Sequence, residues 1–411
     1  MLPQLASRSY SYWQWIAASL LLAFLAQSVW LVHMELAGHQ PPNAPEAIRI
    51  SEGWKQWHGK GIAGAPFLDT RGELLQDPFI GDASGFDTEH SPLLSLASAA
   101  PLLLWPRDFD AESSSYWRWL PRIPFLACGL FLGASLWYVA RRLCGNNGGL
   151  IALALYAFSP SMIQASAAWN FDPEIVAAWG VFGTIFTAIA LAHTLYAPRE
   201  VVLWNWRRIL LLGIALAIAV GAQFGLVVVA LLALGFLLYV APVRRGAAVI
   251  IWLAACFVGV ILLCGEYFFH FHTIAQSLKH ADFWGATWRG FALPSIYKQI
   301  AMQIGRACPA MAILLPVSIA TYAAWPRTRY FGNTGPFLTA LLLILLTIAY
   351  PYHGSSEFLL AAIPFLFLFV SGILADLLET GYRPLVAACI GALLLTYIAR
   401  TLMALALVPL G

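Results

Sequence analysis

The sequence predicts an all-α integral membrane protein with about eleven membrane-spanning helices and one long polar loop near its N-terminus. Two observations predict this. Sixty per cent of the 411 residues are apolar and only 10% are charged, against about 25% charged in a soluble domain. So few charges over this length fit a chain whose outer surface faces lipid. The apolar residues also fall into runs of about 20, the length that crosses a bilayer. Candidate spans lie at 13–34, 119–140, 148–166, 174–194, 209–225, 226–243, 247–265, 306–325, 335–351, 357–377 and 384–406.

The first run is too long for a signal-peptide core. Glu35-Leu36-Ala37-Gly38 follows it without a cleavage site, so it reads as a retained span. The run Pro92–Trp105 is too short to cross and reads as a surface or re-entrant helix. Two further amphipathic stretches, Ala47–Trp57 and Ser295–Ile304, read as helices lying on the membrane surface.

Orientation follows from the cations of the short loops. With the N-terminus cytoplasmic, Arg141-Arg142, Arg199, Arg207-Arg208, Arg244-Arg245, Arg327, Arg329 and Arg383 all lie inside. The short loops near 167–173 and 352–356 hold no Arg or Lys and lie outside. The polar segments 35–118 and 266–305 are then extracytoplasmic loops. The chain divides into an N-terminal transmembrane module, 1–265, and a second part, 266–411, made of the outer loop 266–305 and the last spans. A net charge of +3 without a basic patch points away from nucleic acid. The six cysteines are scattered and read as small apolar fillers, with a Cys264–Cys308 disulfide left open.

This topology gathers the chemistry at one face. His33, His39, His58, His90, His270, His272, His280 and His353 fall at or beyond the outer face, and His193 alone falls inside. They are either interfacial histidines of long loops or part of a metal or acid–base cluster. Four acidic features share that face. Glu46 opens an amphipathic stretch, either as a general base at the membrane surface or as a helix N-terminal charge. Glu89-His90 precede the short apolar helix, as metal ligands or as its cap. Asn170, Asp172 and Glu174 crowd a very short loop, where acidic groups beside spans are costly without a role. Asp172 with Pro173 also suits a helix start. His353 and Glu357 open another outer loop, where they either reach the same cavity or form a polar turn.

The stretch RIPFLACGLFLGASLWYVARRLCGNNGGLIALALYAFSPSMIQASAAWNFDPE, from Arg122 to Glu174, resembles the polytopic glycosyltransferases of the C-type (GT-C) fold. That superfamily includes the protein O-mannosyltransferases and the bacterial lipid A aminoarabinose transferases. The chain is most similar to its short bacterial members, which modify lipopolysaccharide and other envelope glycans. Weaker matches are Pro45-Glu46, where the family has Asp-Glu; Glu89-His90-Ser91-Pro92; and Ser356 to Pro364. The sequence departs at Pro45, which stands where the family has its catalytic Asp, and at Ser91-Pro92, which stands for a Pro-Pro pair.

The resemblance implies transfer of a sugar from a polyprenyl-phosphate-linked donor, at the extracytoplasmic face of the cell membrane. The acceptor would be a glycan, lipid or protein. Glu46 would act as base and Asp172 would orient the donor. Arg122 would pair with its phosphate, or else serve as a snorkelling anchor. Glu89 and His90 would hold a divalent Mg, Mn or Zn ion. Two other readings stay open: a transporter or flippase for a lipid-linked sugar, and an inactive relative.

Overall fold

A computed structural model of the chain describes residues 12–37, 44–62, 90–104, 117–167, 174–196, 206–280, 287–350 and 355–406. At 37, 44–48, 117, 280 and 355–357 only the backbone is described. Among the described residues every regular element is helical. The α-helices are α1 (Tyr12–Ala37), α2 (Ala44–Trp57), α3 (Leu93–Ala99), α4 (Ile123–Ala157), α5 (Pro160–Ser166), α6 (Glu174–Thr194), α7 (Trp206–Ala222) and α8 (Val228–Val240). They continue as α9 (Arg245–Glu266), α10 (Phe271–His280), α11 (Pro294–Ala307), α12 (Met311–Ala324), α13 (Phe331–Ala349), α14 (Ser355–Leu378) and α15 (Arg383–Ala406). Among the described residues seven helices are long and apolar enough to cross a membrane. The pair α11 and α12, bent by 111°, makes an eighth if counted as one span. The chain is a multi-pass helical membrane protein.

The longest apolar stretch, Arg118–Ala157, holds a reversal. A straight helix would put Gly129 and Tyr156 about 40 Å apart. Instead Tyr156 Oη donates to the Gly129 carbonyl at 2.5 Å. The chain doubles back at Gly145, whose φ of 73° is open to glycine and costly for other residues. The two limbs of α4 match the separate stretches 119–140 and 148–166 of the sequence.

The returning limb breaks at Phe158-Ser159-Pro160. Proline has no N–H to donate, so carbonyls near the break lose their helical partners. In lipid such groups need a protein donor. Tyr397 Oη reaches the Leu155 carbonyl at 3.1 Å, Gln27 Nε2 the Ala157 carbonyl at 3.0 Å and Thr401 Oγ1 the Phe158 carbonyl at 3.0 Å. Ser159 caps α5 through the Met162 N–H and donates to the Ala307 carbonyl at 2.7 Å. Helices α1, α11 and α15 are thereby tied to one break.

Helix α14 occupies the centre. From Phe358 its apolar stretch is buried on every side, between α4, α6 and α13. The apolar core thus runs through both parts of the division at residue 265. By contrast α15 is largely exposed, as lipid-facing helices are.

Two ends can be distinguished. One holds the Gly145 turn, with Leu143 beside Gly332, Gly148 beside Ala375, and Tyr196 donating to the Val240 carbonyl at 3.1 Å. Arg141, Arg142, Arg244, Arg245, Arg327, Arg329 and Arg383 lie on the helix termini of that end. The opposite end, called here the Arg122 end, carries α2, α3, α10 and α11. The segment Leu93–Leu104 spans only about 20 Å as α-helix followed by 3₁₀-helix. It packs on α2.

Replacing Gln27 with Leu and Thr401 with Val should lower the unfolding midpoint in detergent. Interhelical hydrogen bonds of this kind are worth roughly 0.6–2 kcal/mol each. Ser19→Ala removes only an exposed bond within α1 and should leave the midpoint unchanged. Equal midpoints for all three proteins would show that the break does not depend on these donors.

Candidate functional site

Polar side chains buried together at the Arg122 end define the site. A 3₁₀ turn, Trp117–Arg122, leads into α4, with Pro124 in the first helical turn. That junction places Arg122 inside the protein, fully buried. Its guanidinium is ion-paired with the carboxylate of Glu35, near the end of α1, and donates to the Ala167 carbonyl at 3.2 Å. Arg122 is therefore not a snorkelling anchor. A buried guanidinium needs such partners, since an uncompensated charge in this setting is costly.

A second cluster lies at the start of α3, which touches both the Trp117–Arg122 turn and α7. His90 and Ser91 are buried there. The Ser91 hydroxyl lies 2.5 Å from Glu266 Oε2 and 2.9 Å from the Gly221 carbonyl. The Ser91 N–H also donates to Gly221, at 2.9 Å. Gln56 of α2 donates to the Glu266 carbonyl at 2.7 Å. Gln223, on the short link between α7 and the following 3₁₀ turn, is buried nearby in the chain. Aromatic rings line the same end. Trp54 packs on His58 at 4.2 Å, Trp57 meets Phe268 edge-on at 5.9 Å, and Tyr350 stacks on Phe358 at 5.6 Å.

The expected site residues fall as follows. Arg122 and His90 are both buried at this end. Glu174 is half-buried and opens α6. Glu46 lies in the first turn of α2 and Glu357 in the first turn of α14, but their side chains lie outside the described residues. Glu89, Asn170, Asp172 and His353 lie outside them altogether. Among the described residues no three His, Cys, Asp or Glu side chains come together in a way that would hold a metal ion. All six cysteines are free, so Cys264 and Cys308 are not bridged.

Sequence reasoning missed Glu266, Gln56 and the partnership of Arg122 with Glu35. Glu266 ends an apolar run and reads there as the polar limit of a span. Its partners Ser91 and Gly221 are far away in the chain, so no local pattern announces them.

The described fold and this polar end define a multi-pass helical membrane protein with buried charge beside short helices. No protein-family model matches the sequence, and comparison with curated proteins finds no match.

Breaking the buried ion pair should be costly. Arg122→Met or Glu35→Leu alone should each destabilise the protein, because each removes one half of the ion pair and leaves the other half inside the protein. The double variant should lose clearly less than the sum. Unfolding of the four proteins in detergent gives the double-mutant cycle, and simple additivity would show the two groups to be uncoupled.

Proposed function

We propose that the chain is a membrane glycosyltransferase, moving a sugar from a polyprenyl-phosphate donor to an envelope glycan, lipid or protein. The observation that carries the reading is the gathering at one end of the bundle of short interfacial helices and a buried guanidinium–carboxylate pair. A lipid-linked donor presents its reacting carbon and phosphate at that depth. The likeness of the segment from Arg122 to Glu174 to GT-C enzymes supports the same reading.

In this proposal the chain crosses the membrane eleven times, with the N-terminus and the Gly145 end cytoplasmic and the Arg122 end outside. The clustering of arginines at the Gly145 end favours that orientation. Glu46, held on surface helix α2, takes the proton of the acceptor hydroxyl as its oxygen attacks the anomeric carbon. The bond from that carbon to the phosphate oxygen breaks, and the polyprenyl phosphate leaves with the electron pair. Asp172 orients the donor from the loop before α6. Arg122 supplies positive charge beneath the phosphate, and Glu35 holds the guanidinium in place until the donor arrives. No step is routed through a metal ion.

A transporter would use its broken helix to coordinate cargo at mid-membrane. Here the freed carbonyls of the break at Ser159-Pro160 are already taken by Tyr397, Gln27 and Thr401. That favours the enzyme.

Cells lacking the gene should lose one sugar from an envelope glycan, lipid or protein, as read by mass spectrometry. Glu46→Gln and Asp172→Asn, inserted at normal levels, should each reduce its restoration by about 10²- to 10⁴-fold. An identical glycan and lipid profile with and without the gene would remove the transfer reading. Reporter fusions at Arg107 and Arg142 should report opposite sides, outside and cytoplasmic. A cytoplasmic signal at Arg107 would overturn the eleven-span topology.

A further inference from the structure

We propose that Glu266 is a positioning residue of the Arg122-end site, tying α2 and the His90–Pro92 turn to the bundle. The inference rests on the transfer reading above for its functional consequence and on geometry for the tie itself.

Glu266 joins four segments. It is the last residue of α9, and its carboxylate lies 2.5 Å from the Ser91 hydroxyl. Ser91 also accepts from the Leu93 N–H at 3.2 Å, so the same hydroxyl starts α3. Ser91 meets the end of α7 through the Gly221 carbonyl. The carbonyl of Glu266 accepts from Gln56 of α2. Among the described residues no Lys, Arg or His forms an ion pair with Glu266. Its carboxylate is spent on Ser91, not on charge pairing.

The surroundings are built around this carboxylate. A Cβ at Gly221 would lie 2.9 and 3.1 Å from its two oxygens and 3.0 Å from Ser91 Oγ. A methyl group there would push the Glu266 carboxylate and the Ser91 hydroxyl aside. Immediately after Glu266 the backbone turns through Phe268 and Phe269, with φ of 48° and 59°. Two successive non-glycine residues in the left-handed region are strained, and such strain persists where neighbours over-determine it. The neighbours are visible. The N–H groups of Phe268 and Phe269 donate back to Gly265 and Cys264 at 2.9 and 2.8 Å. Phe268 packs against Trp57, whose indole N–H donates to the Leu96 carbonyl of α3 at 3.0 Å. The corner therefore holds Glu266, α2 and α3 as one unit. Through α2 it sets where Glu46 stands, and through the turn it sets His90.

The test uses full-length protein in native membranes and a deletion strain. The reporter is Ser98→Cys, at a fully buried position on α3. Reaction of the introduced thiol with a water-soluble maleimide is read by mass spectrometry of the peptide that contains it. Glu266→Ala should raise labelling at this position and reduce sugar transfer on the order of 10²-fold, the usual cost of misplacing groups by about 1 Å. Glu266→Gln keeps an acceptor for Ser91 and should restore both to near wild type. Gly221→Ala, which leaves Glu266 in the chain but crowds its carboxylate, should reproduce the phenotype of Glu266→Ala. Unchanged labelling of the reporter in Glu266→Ala would overturn the tie. Normal labelling in Glu266→Gln with transfer as low as in Glu266→Ala would also overturn it, by making Glu266 act on substrate directly. A deletion strain with an unaltered glycan and lipid profile would overturn the transfer reading, and the labelling comparison would still decide the tie.

Discussion

The helix break at Ser159-Pro160 is the constraint around which the bundle is assembled. Backbone carbonyls cannot be left open inside a membrane, because no water is there to bond them. The break frees carbonyls at Leu155, Ala157 and Phe158, and their donors come from Tyr397, Gln27 and Thr401. Those donors lie near the two ends of the chain. A local event in α4 thus requires α1 and α15 to be in place, and the Ser159 hydroxyl adds the end of α11. Satisfying one proline-induced defect closes the fold between its first helix and its last.

The same break sets up the polar end. It redirects the chain into α5, whose C-terminal neighbour Ala167 offers its carbonyl to Arg122. Close packing beside it leaves no room for larger residues: a Cβ at Gly129 would strike the Ser166 hydroxyl. Arg122 and Glu35 then meet because α1 and the first limb of α4 are adjacent and antiparallel, with Leu21 beside Gly133 and Phe24 beside Gly129. The second cluster, around Glu266, is reached through α3. Two polar centres, each joining elements remote in sequence, lie beside elements that one short helix, α3, touches.

Some of this was legible in single residues. The amphipathic stretches Ala47–Trp57 and Ser295–Ile304 follow from apolar positions at helical spacing among charges, and the structure makes them helices α2 (Ala44–Trp57) and α11 (Pro294–Ala307). The reversal at Gly145 was legible as a gap between two apolar runs marked by Arg141-Arg142. Arg122 was visible as a candidate through the resemblance of the segment that it opens. Its partner was not, since nothing near Glu35 distinguishes a buried ion pair from an ordinary interfacial acid. Glu266 carried no signal for the same reason.

What the sequence determined by itself was the class: apolar runs of bilayer length and cations gathered in alternate loops dictate a multi-pass helical bundle. Hydropathy could not say where each helix sits in that bundle. Helices α14 and α15 are both long and apolar enough to cross a membrane, yet the first is buried at the centre and the second lies exposed on the rim. Lipid tails are as apolar as leucine, so a helix facing lipid and a helix facing protein satisfy the same local rule. Only the tertiary structure decides between them, through the close packing of small residues and the few polar groups that must find partners. Those partners, Gln27 for Ala157, Glu35 for Arg122 and Glu266 for Ser91, are set by contacts between distant parts of the chain.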